Sequence, residues 1–212
     1  MVEVFATPAA SEQYAALRAR SERWTLVDDR ALAALSDSVT PAGVVAVCRT
    51  LDVALTTVLA GAPRLLAVCA EVRDPGNAGT VVRTADAAGA DAVVLAGPSV
   101  DAWNPKTVRA SVGSVFRVPI AVEPDPAAVV RALQDAGLTV LATAGDGEVG
   151  LFEAGDLLDR PTAWLFGNEA HGLADDLAAL ADHRVRIPIL GAAESLNLST
   201  AAALCLYESA RR

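Results

Sequence analysis

The segment 184–207, RVRIPILGAAESLNLSTAAALCLY, joins a short strand to an apolar helix through a loop of small and polar residues. Pro188 ends the strand, because proline has no N–H to give to a sheet. The helix, from about Leu198 to about Glu208, is apolar around most of its circumference, so we expect it to be buried. Either Asn197 or Ser199 can cap it. Polar residues held between two buried elements cost free energy unless they make hydrogen bonds or bind a ligand. This segment therefore constrains both the fold and the position of a functional site.

Strands and helices alternate along the chain before this segment. The run from Leu65 to Ala70 is continuously apolar, which is typical of a parallel strand buried on both faces. Further strands are predicted at 93–96, 118–122, 138–143, 162–166 and 184–187, and helices from about Asn77, at 105–111, at 125–136 and at 173–181. The alternation predicts an α/β fold with a mostly parallel sheet and helices on both faces.

Residues 1–49 predict a small partial α/β domain. Its strands are expected at 2–6, 24–27 and 44–48 and its helices at 11–21 and 30–35, with Ser11 as the cap of the first helix. Residues 50–64 contain a short helical pattern and a Gly-Ala-Pro turn, and we interpret them as a linker. Residues 65–212 then form the main domain.

The composition argues against several classes of protein. The sequence has no apolar run of the roughly 20 residues that a membrane-spanning helix needs, and its start lacks the basic region of a signal peptide. The three cysteines are far apart in apolar segments, which is typical of a cytoplasmic protein without disulfides or a zinc site. Neither of the two histidines has a partner at metal-ligand spacing, so no metal is predicted.

The net charge of −9 argues against a broadly basic surface for nucleic acid. Lys106 is the single lysine, so nearly all of the positive charge is carried by arginine. The planar guanidinium group suits bidentate recognition of phosphate. If this acidic chain binds RNA, we expect a local patch of arginines to do so.

Four predicted loops follow the carboxyl ends of strands, where open α/β sheets bind their ligands. They span 74–79, 143–147, 167–172 and 187–196, and all are rich in glycine or small polar residues. Together they predict a pocket. The sequence has neither the G-x-G-x-x-G pattern of dinucleotide-binding folds nor the G-x-x-x-x-G-K-[ST] pattern of P-loop proteins. An unrelated nucleotide-binding α/β protein is therefore a weaker alternative.

Three motifs in these loops occur in a specific order. They are DPGNAGTVVRTA at 74–85, FGNEAHGL at 166–173 and SLNLS at 195–199. In order and spacing they resemble the motifs of the SpoU/TrmH family of RNA ribose 2′-O-methyltransferases, in the SPOUT class. The resemblance runs from about Leu65 to the C-terminus, and the family usually has glycine where Ala170 stands. It implies a C-terminal trefoil knot, S-adenosylmethionine as cofactor, RNA as substrate and a homodimer.

The resemblance also implies roles for ten residues. The cofactor would be bound at Thr143, Ala144, Gly167, Ile187 and Leu196. The catalytic positions would be Asn77, Arg83, Glu169, Ser195 and Asn197. Because Arg83 stands among core-like residues, we expect it to have an anionic partner. A guanidinium group rarely gives up its proton, so Arg83 could act as a base or could position the RNA phosphate and the hydroxyl.

The resemblance therefore implies an S-adenosylmethionine-dependent enzyme that methylates a ribose 2′-hydroxyl, with ribosomal RNA as the expected substrate. A tRNA ribose 2′-O-methyltransferase and a non-catalytic RNA-binding protein of the same fold are the alternatives. Ribosomal RNA is favoured because residues 1–49 resemble the later part of the small RNA-binding domain of many family members, whereas the tRNA enzymes usually carry helical extensions. A helix and a strand of that domain are missing, so it is truncated, naturally short, or a generic α/β appendage.

Overall fold

The computed structural model describes residues 1–36, 38 and 40–212. The chain divides into two compact units, Met1–Thr50 and Leu51–Arg212. The segment interpreted as a linker carries helix α4, Leu55–Ala60, within the second unit. There Leu55 is buried and the backbone N–H of Val53 donates to Ile120 O.

The first unit contains a three-stranded sheet in the order β2-β1-β3. Strand β1 pairs in parallel with β2 and antiparallel with β3. The strands are β1 Glu3–Ala6, β2 Trp24–Leu26 and β3 Val44–Val47, and the helices are α1 Pro8–Gln13, α2 Ala15–Arg18 and α3 Asp29–Leu35.

The prediction of one helix over 11–21 is wrong. Tyr14, with φ −108° and ψ 38°, leaves the helical region and separates α1 from α2. Thr7 caps α1 by accepting a hydrogen bond from Ala10 N. Ser11 is instead buried, and its hydroxyl accepts a hydrogen bond of 2.6 Å from Trp24 Nε1.

The second unit is built on a seven-stranded sheet in the order β6-β5-β4-β9-β7-β10-β8, in which every described pairing is parallel. All residues of the two central strands, β4 and β9, are buried, which explains their continuous apolar sequences. The strands are β4 Leu65–Ala70, β5 Ala92–Ala96, β6 Ile120–Glu123, β7 Thr139–Thr143, β8 Val149–Gly150, β9 Thr162–Phe166 and β10 His183–Arg186.

Helices cover both faces of this sheet. After α4 they are α5 Pro75–Ala88, α6 Pro105–Ser111, α7 Pro126–Asp135, α8 Gly155–Leu158, α9 Asp175–Ala178 and α10 Leu198–Ala210, with 3₁₀ turns at Ser114–Phe116 and Leu151–Glu153. The core on one face includes residues of α5 and α10, and the core on the other includes residues of α4 and α7, with α9 packed against it. The predicted α/β fold with a large parallel sheet is confirmed.

Several predicted boundaries differ from the structure. Helix α5 begins at Pro75 rather than near Asn77, because Asp74 caps it and proline suits the first helical position. Strand β6 begins at Ile120, because the 3₁₀ turn before it holds Val118 N on Ser114 O.

The predicted helix 173–181 is only one turn of α-helix, since its last residues make tighter 3₁₀-type hydrogen bonds, Leu180 N to Leu177 O and Ala181 N to Ala178 O.

The expected burial of the C-terminal helix holds for one side only. Asn197 caps α10 by accepting hydrogen bonds from Ser199 N and Thr200 N. Cys205 and Leu206 are fully buried, but Leu204 is 39% exposed and Tyr207 is 52% exposed. Within the ranges that the structure describes, no helix combines the length and the apolar character needed to cross a membrane.

Candidate active site

The carboxyl ends of three neighbouring strands, β7, β9 and β10, open into one cleft of about 330 Å³. We call it the edge cleft. A volume near 300 Å³ lies at the small end of the range for sites that bind small molecules. The edge cleft is lined by Thr143, Ala144, Gly145, Gly167, Asn168, Glu169, Ala170, Gly172, Val185, Ile187, Ile189, Glu194, Ser195, Leu196, Leu198 and Ala201.

All five residues predicted to bind the cofactor line the edge cleft. They come from the last residue of β7 and from the loops after β7, β9 and β10, so only the folded sheet brings them together. Thr143 also donates a hydrogen bond of 3.2 Å to Leu165 O, which ties the end of β7 to β9. The walls combine apolar side chains, such as Ile187 and Leu196, with the backbone of small residues. That combination suits a flat heterocycle held by backbone hydrogen bonds.

The loop 168–172, which follows β9, is folded tightly on itself. Asn168 and Gly172 exchange backbone hydrogen bonds of 2.9 and 2.8 Å. A Cβ atom at Gly167 would lie 2.3 Å from the backbone of Gly172 and of Leu173, so a side chain there would open the loop. Gly172 adopts a positive φ of 69°. Glycine at these two positions is therefore required by the shape of the cleft wall.

The side chain of Asn168 joins this loop to the end of β4. Its Nδ2 donates to Glu71 O at 2.8 Å, and its Oδ1 accepts from Ala170 N at 2.8 Å. Glu71 has a positive φ of 58°, which is uncommon for a residue with a side chain. Its N–H also donates to Ala96 O at 2.9 Å. The strained turn after β4 is thus held by hydrogen bonds from two sides.

Glu169 is the centre of a hydrogen-bond network that joins two of the motifs. Its Oε1 accepts from Asp74 N at 3.1 Å and from Asn77 Nδ2 at 3.2 Å, and its Oε2 accepts from Arg73 N at 3.2 Å. Partial burial acts to raise the pKa of Glu169. The hydrogen bonds from its own backbone, Arg73, Asn77 and Asp74 outweigh that effect and lower the pKa below its usual value.

Asn197 extends the network to the third motif. Its Nδ2 donates to Asn77 Oδ1 at 3.0 Å, while its Oδ1 caps α10. Three of the five predicted catalytic residues, Asn77, Glu169 and Asn197, therefore form one continuous chain of hydrogen bonds. Ser195 lines the edge cleft, and its hydroxyl makes no hydrogen bond to another described residue.

The start of α5 is fixed by a second carboxylate. Asp74 Oδ1 accepts from Asn77 N at 2.8 Å, and Asp74 Oδ2 accepts from Lys106 Nζ at 2.9 Å. The hydrogen bond from Lys106, followed by that from the backbone of Asn77, lowers the pKa of Asp74. The single lysine of the chain therefore holds the helix start, and with it the backbone N–H groups that bind Glu169.

Arg83 does not line the edge cleft, and the chain itself does not supply the anionic partner that we expected for it. It is exposed, and in the described part of the chain its guanidinium contacts no carboxylate within ion-pair distance. Six residues separate it from Asn77, which places the two side chains about 120° apart around the helix at about 100° per residue. The core-like neighbours Val81 and Val82 lie on the buried sides of the same helix.

Two arginines that sequence reasoning missed fix the loop after β7. Arg186 Nη1 donates to Gly147 O at 3.0 Å and to Glu148 O at 3.2 Å. Arg184 donates to Glu148 from its backbone N at 2.9 Å and from Nε at 3.2 Å. The backbone hydrogen bond from Arg184 is the largest of the effects that lower the pKa of Glu148. Alternate positions in a strand share a face, so Arg184 and Arg186 point to the same side of β10. Their spacing in the sequence is a signal from which a shared partner could have been predicted.

A second cavity, of about 620 Å³, shares four lining residues of the loop 168–172 with the edge cleft. It is also lined by Glu71, Arg73, Asp74, His171, Leu173 and Leu177. His171 is an exposed loop residue. Among the described residues, no three His, Cys, Asp or Glu side chains are grouped so that they could hold a metal ion.

Known proteins resemble this chain in sequence and in fold. The model of the SpoU rRNA Methylase family matches residues 64–207. The chain is 39% identical over 143 residues to the 23S rRNA (uridine(2479)-2′-O)-methyltransferase of Streptomyces viridochromogenes, covering 65% of this chain and 49% of that protein. It is 37% identical over 182 residues to the 23S rRNA (guanosine(2553)-2′-O)-methyltransferase RlmP of Bacillus subtilis, covering 86% of this chain and 70% of that one. The chain thus spans about half the length of the first relative.

Two solved structures resemble the whole chain. The SpoU methyltransferase AviRb from Streptomyces viridochromogenes superposes with a TM-score of 0.81 at 30% identity, covering 99% of this chain and 81% of that one. The AdoMet-bound rRNA methyltransferase from Sinorhizobium meliloti superposes with a TM-score of 0.80 at 32% identity, covering 99% and 79%. Because the family model spans more than half of the chain, and all three motifs lie at or beside the edge cleft, the chain belongs to the SpoU rRNA methylase family.

Proposed function

We propose that the protein is an S-adenosylmethionine-dependent enzyme that methylates a ribose 2′-hydroxyl in ribosomal RNA. The observation that carries the proposal is the hydrogen-bonded chain Glu169–Asn77–Asn197 beside the edge cleft. A protein that only binds RNA has no need to align polar groups from three motifs next to a small-molecule cleft. The relatives are named as 23S rRNA 2′-O-methyltransferases, and one neighbouring structure is named as bound to AdoMet.

The edge cleft fits S-adenosylmethionine in its chemistry. Its apolar side chains and small-residue backbone suit an adenosine group, and its charged residues are both glutamates, which suit a cation. The residues proposed to hold the cofactor are Thr143, Ala144, Gly167, Ile187 and Leu196. When bound, S-adenosylmethionine would supply the methyl group to the ribose 2′-oxygen and leave as S-adenosylhomocysteine, with the hydroxyl proton released to water. The enzyme needs no metal in this proposal.

The proposed catalytic residues are Asn77, Arg83, Glu169, Ser195 and Asn197. Asn77 and Asn197 are held by hydrogen bonds, so they can present fixed polar groups at little reorganisation cost. Ser195 keeps a free hydroxyl at the cleft. Arg83 is exposed, which leaves its guanidinium available to an RNA phosphate. Its proposed role is to position the substrate, since a guanidinium group rarely acts as a base.

The proposed active form is a homodimer with a C-terminal trefoil knot in the domain 65–212. Apolar side chains of the segment 189–207 support a partner surface, because Leu190 is 95% exposed and Leu204 and Tyr207 are also exposed. Residues 1–49 would contribute to RNA binding. The relatives that modify ribosomal RNA are bacterial enzymes, and bacterial ribosomal RNA is cytoplasmic, so the cytoplasm is the proposed location.

The proposal is tested by mapping ribose methylation in total RNA from a strain that lacks the protein. The expected result is the loss of a single 2′-O-methyl group from ribosomal RNA, restored by the purified protein with S-adenosylmethionine. Loss of a methyl group from a tRNA would identify the tRNA enzyme instead. No change in any RNA, together with RNA binding by the purified protein, would favour the non-catalytic alternative.

A further inference from the structure

The edge cleft is negatively charged. Two of its described lining residues, Glu169 and Glu194, carry carboxylates, and no lysine, arginine or histidine is among them. A cleft with charge of one sign and apolar walls attracts ligands of the opposite charge. A cationic ligand is therefore favoured.

The two carboxylates differ in what they bind. Both oxygens of Glu169 already accept hydrogen bonds, from Arg73 N, Asp74 N and Asn77 Nδ2. The carboxylate of Glu169 thus stabilises the cleft wall through hydrogen bonds within the protein. Glu194 is exposed and makes no hydrogen bond or ion pair with any other residue that the structure describes. Its carboxylate is free to meet a ligand.

We propose that Glu194 recognises the positively charged methionine end of S-adenosylmethionine, an inference that rests on the proposed function. At neutral pH the cofactor carries a sulfonium and an ammonium group against one carboxylate, so its net charge is positive. The adenosine group has no charge and needs only the apolar walls and the backbone. Glu194 therefore favours binding of the positively charged methyl donor over binding of an uncharged adenosine derivative that carries the same sulfur atom.

The expected effect is modest because Glu194 is exposed. Water and salt screen a surface ion pair, so its loss should weaken binding of S-adenosylmethionine by about fivefold. Raising the salt concentration should reduce the difference between the wild-type protein and the variant, since screening weakens only the charged contact.

The test compares the wild-type protein with Glu194→Gln, which keeps the size of the side chain and removes its charge. Calorimetric titration measures the affinity for S-adenosylmethionine and for 5′-methylthioadenosine, which shares the adenosine and the sulfur but carries no charge. The variant should lose about fivefold for the first ligand and stay within about twofold for the second. Glu12→Gln is the matched control, because Glu12 is an exposed residue of α1 outside the edge cleft.

S-adenosylhomocysteine keeps the ammonium group and lacks the sulfonium, so its affinity shows which of the two cationic groups Glu194 contacts. An equal loss for this product places Glu194 at the ammonium group, and a smaller loss places it at the sulfonium. The inference is overturned if Glu194→Gln binds S-adenosylmethionine as the wild type does, or if both ligands weaken equally. A wild-type protein that binds none of the three ligands would instead refute the proposed function.

Discussion

The proposed catalytic residues differ in whether hydrogen bonds to other residues fix their side chains. Asn77, Glu169 and Asn197 are fixed in one hydrogen-bond network, whereas Arg83 is exposed on the helix that carries Asn77. A residue in the network should affect cofactor binding and catalysis together, because moving it disturbs the wall of the edge cleft. A residue outside it should affect only the step in which it touches the substrate.

Arg83→Ala should therefore abolish methyl transfer and leave cofactor affinity nearly unchanged. Losing a charge-assisted hydrogen bond in the transition state costs roughly 2.7–4 kcal/mol, or about 10²–10³ in rate. Arg83→Lys should restore little, since an ammonium group lacks the planar fork. Single-turnover methylation and cofactor titration measure the two effects, with exposed Arg131→Ala on α7 as control. Near-normal turnover of Arg83→Ala would show that Arg83 has no catalytic role.

Glu169 should make the stability of the protein depend on acid pH. A group whose pKa is lowered in the folded state stabilises it fully above the unfolded pKa and loses that contribution as pH falls through the folded pKa. Glu169→Gln lacks this contribution, and it replaces one of the two acceptor oxygens with an NH2 group that cannot accept a hydrogen bond from Arg73 N or Asn77 Nδ2. Denaturant unfolding from about pH 7 to about pH 3 should show a larger loss for the wild type than for the variant. Parallel curves would contradict the prediction, and Glu12→Gln serves as the control.

Two helices of this domain pack closely at a glycine, where no side chain keeps them apart. Helix α5 meets α6 at Gly79, where an added Cβ would lie 2.4 Å from Thr107 O and 2.7 Å from Ala110 Cβ. This contact sets the distance between the two helices. Because Asp74 at the start of α5 also binds Lys106 on α6, the pair positions the backbone that holds Glu169.

Gly79→Ala should destabilise the protein despite the better helix propensity of alanine. The propensity gains about 1 kcal/mol, but forcing a methyl group against a backbone carbonyl costs about 1–3 kcal/mol. We expect a net loss of up to about 2 kcal/mol in unfolding free energy, measured by denaturant unfolding. Gly191→Ala is the control, because its added Cβ would meet nothing within 4 Å. Equal stability of both variants would show that the helices move apart easily.

The loop after β7 is held in place by hydrogen bonds from strand β10. Arg186 donates to two carbonyls of that loop, Gly147 O and Glu148 O, and the loop also supplies Ala144 and Gly145 to the edge cleft. Arg186→Ala should weaken binding of S-adenosylmethionine about tenfold, since freeing the loop removes part of the preformed wall. Titration of Arg186→Ala beside Arg131→Ala measures this, and unchanged affinity would show that the loop keeps its shape without Arg186.

At the scale of the whole molecule, α10 leaves apolar side chains unburied. The helix is buried at Cys205 and Leu206 but exposes Leu204 and Tyr207. In a homodimer these side chains would be covered by the second copy. Leu204→Glu should then give a folded monomer in sedimentation at micromolar concentration, while the wild type sediments as a dimer. A monomeric wild type would refute the proposed dimer.

The sequence by itself determined the elements and the motifs. Runs such as Leu65–Ala70 predict buried parallel strands, because apolar periodicity is a local property of the chain. It also placed Asn197 as a possible cap and put four loops after strand ends, while the family resemblance named the five proposed cofactor residues, which line one cleft. These features depend on residues that are close in sequence, or on the rule that parallel strands end at one edge.

Only the tertiary structure decided which side chains meet. Asn197 Nδ2 reaches Asn77 across 120 positions of the chain, and Glu169 binds the backbone of Arg73 across 96. No local pattern encodes such contacts, because they depend on β4, β9 and β10 lying near one another in a sheet whose order differs from the chain order. For the same reason the sequence predicted a partner for Arg83 that the fold does not supply, and it missed the hydrogen bonds of Arg186 to the β7 loop.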